Sequence, residues 1–357
     1  MEATQTIIIN RIITVALKRQ ASDLHLSVGN NPVLRVDNKL HILSDEDIIT
    51  ANFLNNLAKS FFSDSVQKEL EEKREVTIVH NYGNNIRFRI NGFYQKNFLN
   101  FSFRFIQPVL PLFKDLGLPT AVQNLTRLKS GLIIVAGGYD AGRTTTVFSF
   151  LEEINRNQSR YILTIEKPVE FLMSSNKSII AQRNIPTDVR NYQDAIAYCE
   201  KEDVDVIMID KIDSSPDTLM RIFELSLSGK LIISIMNGRT VVGVIEKILS
   251  QFQEKELDRV RLLLANCIEC ILMQKLVPRI GGGRILIPEI LLATSPVKAI
   301  IKDDKIYQIN NILQTSREEG MMGIDISLAE RVSTGEIDVK EALNYANDKD
   351  NFKNLMK

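Results

Sequence analysis

The sequence has no tryptophan, three histidines and three cysteines in 357 residues, and its 44 basic side chains are balanced by 44 acidic ones. A net charge of zero argues against a dedicated nucleic-acid-binding protein, which normally carries a basic surplus. Three cysteines are too few for a disulfide framework, so we expect a reducing compartment. No histidine follows His80, so chemistry in the rest of the chain has to proceed without imidazole.

Long apolar runs are absent as well. Ile7–Ile9 is interrupted by Asn10 and Arg11, and no apolar stretch reaches the ~20 residues that span a bilayer. The N-terminus does not match a signal peptide, so we expect a cytoplasmic location. A hydrophobic fraction of 44% with 25% charged residues is ordinary for a globular protein of two or three domains.

The first 106 residues predict a domain that combines helices with an antiparallel sheet. Apolar spacing predicts helices over 5–19 and 45–70, and period-two alternation predicts strands between and after them. The expected strands lie at 24–27, 33–36, 75–80, 86–94 and 98–105.

Residues 107–125 predict an interdomain linker, because Pro108, Pro111 and Pro119 lie close together there. From 126 to 292 the pattern changes to continuous apolar strands that alternate with helices, which is typical of a parallel sheet covered on both faces. The pattern over residues 293–357 indicates a region of short helices.

Cys267 and Cys270 have CxxC spacing, but no second pair and no histidine completes a zinc site. We expect residues 259–272 to form one helix with a buried face, in which both thiols are structural.

A glycine-rich segment, Gly137–Thr144, follows the first core strand and precedes a predicted helix. Its spacing matches the phosphate-binding pattern GxxxxGK[ST], except that Arg143 stands at the lysine position. In such a loop, backbone N–H groups and the helix N-terminus bind phosphates, and the hydroxyl of the last residue binds Mg²⁺. Asp140 adds a carboxylate that would repel phosphate oxygens, and a glycine turn of this kind can also be purely structural.

Several further segments carry a resemblance to a known family. They are Ala21–Ser27, Arg35–Asp37, Arg87–Arg89, Gly131–Thr146, Leu163–Glu166, Lys275–Glu289, Gln314–Thr315 and Gly320–Met321. With them the chain resembles, nearly from end to end, the PilT/PilU family of type IV pilus retraction ATPases in the secretion ATPase superfamily. The resemblance implies an α/β fold with a PAS-like N-terminal α+β domain, a RecA-like P-loop core, a helical C-terminal region, a ring hexamer and ATP or ADP with Mg²⁺.

The resemblance also assigns roles to individual residues. It implies nucleotide binding by Gly137, Gly142, Arg143, Thr144 and Thr145, a Mg²⁺ site at Thr144 and Asp210, and retained catalytic acids at Glu166 and Glu170. It further implies that Arg87, Arg89 and Arg104 act in trans on nucleotide bound by a neighbouring subunit; the alternative is three solvated strand arginines.

Four elements depart from the family pattern. Arg143 replaces lysine, Lys167 replaces the middle acid of Glu-Asp-Pro-x-Glu, Lys211 replaces the glutamate after the Walker B strand, and Asn237 replaces the histidine of Thr-Leu-His-Thr. A lysine at neutral pH does not accept a proton from water unless it is strongly desolvated. We therefore predict that hydrolysis at the chain's own site is impaired.

The predicted partners follow from the same resemblance. They are further copies in a homo-hexamer, or an active PilT-type motor in a mixed or stacked ring, together with the inner-membrane platform protein of the pilus. The platform contact would use Lys298 and Lys302, which lie on one helix face, and would place the protein at the inner side of the cytoplasmic membrane. Two alternatives stay open: an active motor with atypical site residues, and a pilus-assembly scaffold that binds no nucleotide.

Overall fold

A computed structural model describes residues 3–83, 86–106, 109–212 and 215–356, with the side chains of 3 and 4 excepted. The chain divides into two compact units, and the division falls between Val109 and Leu110. Among the described residues, no helix is both long and apolar enough to cross a bilayer.

The first unit contains a six-stranded antiparallel sheet with the strand order β3-β2-β1-β6-β5-β4. Its elements are α1 (Ala3–Lys18), β1 (Asp23–Leu26), β2 (Val33–Val36), β3 (Lys39–Ile42), α2 (Ala51–Phe61), α3 (Asp64–Lys73), β4 (Glu75–Tyr82), β5 (Ile86–Gln95) and β6 (Phe98–Ile106).

Alternation along the strands builds the core of this unit. Phe88 and Ile90 on β5 and Phe103 on β6 are fully buried, whereas the residues between them face the other side of the sheet. The predicted helical stretch 45–70 is two helices, because the Ser63 hydroxyl accepts the Val66 N–H and starts α3 anew.

The second unit begins with the segment predicted as a linker. Gln107 and Pro108 lie outside the described residues. Residues 110–125 belong to the second unit and include α4 (Thr120–Asn124). Phe113, Leu118 and Val122 are buried in its core, so this part of the expected linker is packed into the second unit.

A seven-stranded sheet with the order β13-β12-β7-β11-β10-β8-β9 forms the centre of the second unit. Its strands pair in parallel except β13, which is antiparallel to β12. The elements are β7 (Gly131–Gly137), α5 (Arg143–Asn157), β8 (Tyr161–Glu166), β9 (Ile179–Asn184), α6 (Tyr192–Cys199), β10 (Val206–Ile209), α7 (Pro216–Leu227), β11 (Leu231–Asn237), α8 (Val241–Leu249), α9 (Leu257–Cys267), β12 (Ile268–Pro278) and β13 (Arg284–Leu292).

Both faces of this sheet are covered, as the continuous apolar strands predict. Leu132 and Ile134 of β7 belong to one hydrophobic cluster, and Ile133 and Val135 belong to another. Because successive side chains of a strand point to opposite faces, the two clusters lie on opposite sides of the sheet.

The prediction of one helix over 259–272 is wrong. Helix α9 ends at Cys267 and β12 begins at Ile268, so Cys267 closes a helix and Cys270 lies in a strand. An apolar run that is buried on all sides has the same composition in either structure, and here the pairing of β12 with β7 decides for strand. Both thiols are buried, as expected for structural cysteines.

Short helices complete the second unit, and the last three of them share a hydrophobic cluster with Val277 of β12 and Ile287 of β13. They are α10 (Ser295–Lys302), α11 (Ile309–Thr315), α12 (Ile324–Ser333), α13 (Val339–Tyr345) and α14 (Lys349–Leu355). The Lys275 ammonium of β12 donates to Tyr345 O and Asn347 Oδ1, both at 2.8 Å. This charged side chain therefore joins the helical region to the sheet.

Candidate nucleotide site

The glycine-rich loop connects β7 to α5 at the carboxyl edge of the parallel sheet. Gly142 adopts the left-handed conformation (φ 80°) immediately before α5. A Cβ at this position would lie 3.2 Å from Leu276 Cδ1 and 3.3 Å from Gln274 Nε2. Conformation and space therefore both favour glycine, and α5 begins at the next residue, where a phosphate-binding loop has its helix N-terminus.

Arg143 is directed at the neighbouring strand. Its Nη1 donates to Met236 O at 2.8 Å and to Asn237 Oδ1 at 2.5 Å, at the end of β11. Two of the four departures from the family pattern therefore contact each other, which their separation in the sequence does not reveal. The cation at the lysine position is bonded to protein acceptors.

Two more side chains hold the loop from the opposite side. The guanidinium of Arg284 on β13 lies 2.5 Å from Asp140 Oδ2 and offsets the carboxylate that would repel phosphate. Gln274 on β12 donates from Nε2 to Ala141 O at 2.6 Å and is fully buried. No sequence pattern indicates these contacts, because β12 and β13 are remote from the loop along the chain.

A cavity of about 360 Å³ opens beside the start of α5. The carboxylate of Glu336 forms ion pairs with Arg279 at 3.0 Å and with Arg331 at 2.8 Å. The hydrogen bond from Arg331 holds the pKa of Glu336 below its usual range. The lining consists of Asp115, Leu116, Gly117, Gly142, Thr145, Thr146, Gln274, Leu276, Arg279, Arg284, Ile285, Leu286, Arg331 and Glu336. The cavity thus combines the first turn of α5 with three arginines that are paired to acids. Arg331 and Glu336 were missed because no sequence pattern marks them.

The acids at the end of β8 form a second group on the same edge. Glu166 Oε1 accepts the Thr164 hydroxyl at 2.6 Å and Gln182 Nε2 at 3.0 Å. Burial, with a smaller contribution from the nearby Asp210, raises the pKa of Glu166 to about 7 despite these bonds. Glu170 is half-buried close to both acids.

Asp210 follows β10, and both of its carboxylate oxygens accept hydrogen bonds. Lys167 N–H donates to Oδ2 and the Tyr192 hydroxyl donates to Oδ1, each at 2.6 Å. Burial raises the pKa of this carboxyl. Strand β11 separates β10 from β7, the strand that carries the loop. Within the described ranges, no three or more acid, histidine or cysteine side chains are grouped as metal ligands. Both oxygens of Asp210 are thus engaged by the protein, and its role beside Thr144 at a Mg²⁺ site stays a prediction.

Lys211 lies at the exposed end of β10. Together with Asn237, Lys247 and Gln251 it lines a small cavity of about 40 Å³ between β11 and the helices that follow. Lys247 Nζ also donates to Asn237 O at 3.2 Å. The charge at the position of the expected general base is therefore positive, and a second lysine reinforces it.

The three arginines predicted to act in trans share one face of the N-terminal sheet. Arg87 and Arg89 alternate along β5, and Arg104 lies opposite Arg89 on β6. Arg87 donates to Asn81 Oδ1 at 2.7 Å, and Arg104 lies 3.9 Å from Asp23. The register gives this face a basic row, which is compatible with both interpretations of these arginines.

On α10, Lys298 and Lys302 are not equivalent. Lys298 is half-buried and forms an ion pair with Glu269 at 3.1 Å, whereas Lys302 is exposed at the end of the helix. The side chain of Lys302 therefore presents more of its charge at the surface.

Comparison with known proteins agrees with this architecture. The family model "Type II/IV secretion system protein" matches residues 2–282. The chain is 27% identical to the type IV pilus retraction ATPase PilT of Pseudomonas aeruginosa, over 96% of this chain and 99% of PilT. It is 23% identical to the type IV pilus ATPase PilU of the same organism, over 97% and 91%. A crystal structure of the pilus retraction motor PilT with bound ADP superimposes with a TM-score of 0.83 and 30% identity, covering 96% of this chain and 98% of that one.

The fold, an N-terminal α+β domain followed by a RecA-like core and a helical region, is that of a secretion ATPase. The chain belongs to the PilT/PilU family of type IV pilus retraction ATPases within that superfamily.

Proposed function

We propose that this chain is a PilT/PilU-type protein of the pilus retraction machinery whose own site binds ATP or ADP with Mg²⁺ weakly and hydrolyses ATP poorly. It serves as an accessory of an active paralogue. In this role it forms a hexamer by itself or enters a mixed or stacked ring, in the cytoplasm at the inner face of the membrane.

The observation that carries the proposal is the direction of Arg143. In a phosphate-binding loop the cation at this position offsets charge on the transferred phosphoryl group. Here its Nη1 is bonded to Met236 O and Asn237 Oδ1, so the guanidinium is held at the end of β11, and a phosphate that approaches Nη1 has to compete with two protein acceptors. Since phosphoryl transfer depends mainly on positioning and electrostatic stabilisation, this competition favours slow turnover.

The second support is the loss of a base. Lys211 at the end of β10 presents an ammonium where the family pattern has a glutamate that activates water. Glu166 and Glu170 are retained, but Glu166 is bonded to Thr164 and Gln182, and its raised pKa leaves a substantial protonated fraction near neutral pH. The surviving acids therefore do not replace the missing one.

The accessory role rests on what is retained. The basic face of Arg87, Arg89 and Arg104 keeps the groups expected to reach nucleotide on a neighbouring subunit. An arginine supplied in trans is worth ~10³–10⁵ in rate. A subunit of this kind assists its neighbour while contributing little turnover of its own. The contact with the inner-membrane platform would use the Lys302 end of α10, with Lys298 partly occupied by Glu269.

Phosphate release by the purified protein tests the proposal. We expect turnover far below the ~1–100 s⁻¹ range of efficient phosphoryl-transfer enzymes. We also expect that mixing with an active family motor raises the rate per motor subunit, and that the triple variant of Arg87, Arg89 and Arg104 to glutamine abolishes this rise. Calorimetry with Mg-ATP on the same sample identifies a scaffold that binds no nucleotide. Efficient turnover by the protein alone, removed by Thr144→Ala, would identify an active motor and refute the proposal.

A further inference from the structure

The hydrogen bonds of Arg143 assign unequal roles to its two acceptors. Met236 contributes a main-chain carbonyl, which any residue at that position would supply. Asn237 contributes its side-chain amide oxygen at 2.5 Å, so this part of the contact depends on residue type. Both hydrogens of Nη1 are used by these two oxygens.

We propose that Asn237 is a positioning residue that holds the Arg143 guanidinium against the end of β11 and thereby lowers the affinity of the loop for phosphate groups. The inference rests on the proposed function in one respect, namely that the loop still accepts the phosphates of a nucleotide. Beyond the proposed function, it names Asn237 as the side chain that weakens the affinity of the loop for phosphate.

The other polar groups of the loop are held from the side of β12 and β13, whereas Arg143 is held from the side of β11. Gln274 fixes Ala141 O and Arg284 fixes Asp140 from the opposite side. Asn237 is the register partner of Gly137, so the end of β11 lies directly beside the start of the loop. The Arg143 Cδ lies 3.4 Å from the position of a Cβ on Gly137, so its stem crosses the beginning of the loop to reach that strand.

Phosphate and the Asn237 amide therefore compete for Arg143 Nη1, and a phosphate that uses the other N–H groups meets a guanidinium held toward β11. Hydrogen bonds from arginine to an anionic oxygen are stronger than those to a neutral amide, so a bound phosphate can displace the amide, but it loses part of its binding energy in doing so. When the amide oxygen of Asn237 is removed, phosphate loses less of its binding energy and binds more tightly.

Isothermal titration calorimetry of Asn237→Ala tests the proposal, with Mg-ADP and, in the absence of metal, inorganic pyrophosphate as ligands. We expect both to bind about fivefold more tightly than to the unchanged protein, the factor that one hydrogen bond of ordinary net strength gives. Gln251→Ala is the matched control, because it removes another neutral amide from the same small cavity without a bond to Arg143. It should change the affinity by less than about twofold.

A second background makes the result specific for Arg143. In Arg143→Lys, whose ammonium lacks the forked donor geometry, Asn237→Ala should change pyrophosphate affinity by less than about twofold. An equal gain in both backgrounds, an unchanged or weaker affinity of Asn237→Ala, or no binding by any variant overturns the proposal. A thermal unfolding curve with the native midpoint to within a few degrees verifies that each variant is folded.

Failure of this inference and failure of the proposed function are distinguishable. Efficient hydrolysis by the unchanged protein refutes impaired turnover but leaves the effect of Asn237 on pyrophosphate affinity intact. Conversely, equal affinities refute the role of Asn237 even when hydrolysis is slow.

Discussion

The two halves of the carboxyl edge of the central sheet differ in what has changed. At the ends of β7 and β11 the charged side chains contact other protein groups: Arg143 donates a hydrogen bond to Asn237, and Asp140 forms an ion pair with Arg284. At the ends of β8 and β10 the acids Glu166 and Asp210 remain and accept hydrogen bonds from the protein. The comparison teaches that the loop half of this edge, at the ends of β7 and β11, binds its charged side chains to other protein groups. The acid half, at the ends of β8 and β10, keeps Glu166 and Asp210 in internal hydrogen bonds, but Lys167 and Lys211 stand there where the family pattern has acids.

The largest expected effect comes from restoring both halves together. We expect the variant Arg143→Lys, Lys167→Asp, Lys211→Glu, Asn237→His to release phosphate at least about 100-fold faster than the unchanged chain, the lower end of what a positioned base contributes. Steady-state phosphate release measures it.

The same quadruple variant with Thr144→Ala is the control and should be inactive. If the quadruple variant binds Mg-ATP tightly and is no faster than the unchanged chain, the difference between the halves does not explain the turnover.

Next in size is the pH dependence that Glu166 gives to stability. Its pKa is about 7 in the folded chain against 4.5 for the free side chain, so the folded state holds the proton more tightly. This contribution is complete below pH 4.5 and is lost as the pH rises through 7. The loss is roughly 1.4 kcal/mol for each pH unit between these two values, and so about 3 kcal/mol in all. We expect Glu166→Gln to unfold with a flatter pH dependence and to be the more stable protein at about pH 8.

Urea unfolding at about pH 5 and about pH 8 measures this, followed by circular dichroism because the chain has no tryptophan. Thr164→Val removes a donor that favours the ionised carboxylate, so the loss of stability should continue to higher pH and be larger in total. Parallel pH profiles of Glu166→Gln and the unchanged protein would show that the acid half is not held as the structure describes.

The conformation of the loop half gives a third prediction. Gly142→Ala places a Cβ in the left-handed region and against Leu276 and Gln274, so we expect it to cost about 1–2 kcal/mol of stability. Gly138→Ala is the matched control, because its Cβ meets nothing within 4 Å. Thermal unfolding compares the two, and equal stabilities would contradict the tight fit of the loop.

The sequence predicted the fold well where periodicity is unambiguous. The strands of the first unit alternate, and β7, β8, β10 and β11 are continuous apolar runs between helices. It failed at Cys267–Cys270, where a mostly apolar run suits a helix and a strand equally. Residues 110–125, which the proline content marked as linker, lie in the second unit with Phe113 and Leu118 buried, since proline content reports backbone preference and not burial.

The candidate site was predictable in its parts and not in its contacts. The spacing of Gly137, Gly142 and Thr144 marks the loop, and the resemblance marks each replaced residue. The bond between Arg143 and Asn237 joins residues far apart in sequence and depends on β7 lying beside β11. Arg331 and Glu336 reach the cavity through the fold of the C-terminal helices, which no local pattern records.

The smallest expected effect tests whether the ion pair of Asp140 and Arg284 in the loop half stabilises the fold. Asp140 and Arg284 are 15% and 21% exposed and lie 2.5 Å apart, so their pair is only partly screened by solvent. A double-mutant cycle with Asp140→Asn and Arg284→Gln should give a coupling free energy of about 0.5–1 kcal/mol in urea unfolding. The pair of Glu69 and Lys73 on α3, which is far more exposed, is the control and should couple more weakly. If the two couplings are equal, the Asp140–Arg284 contact behaves as an ordinary surface pair, and the loop is held by Arg143 and Gln274 alone.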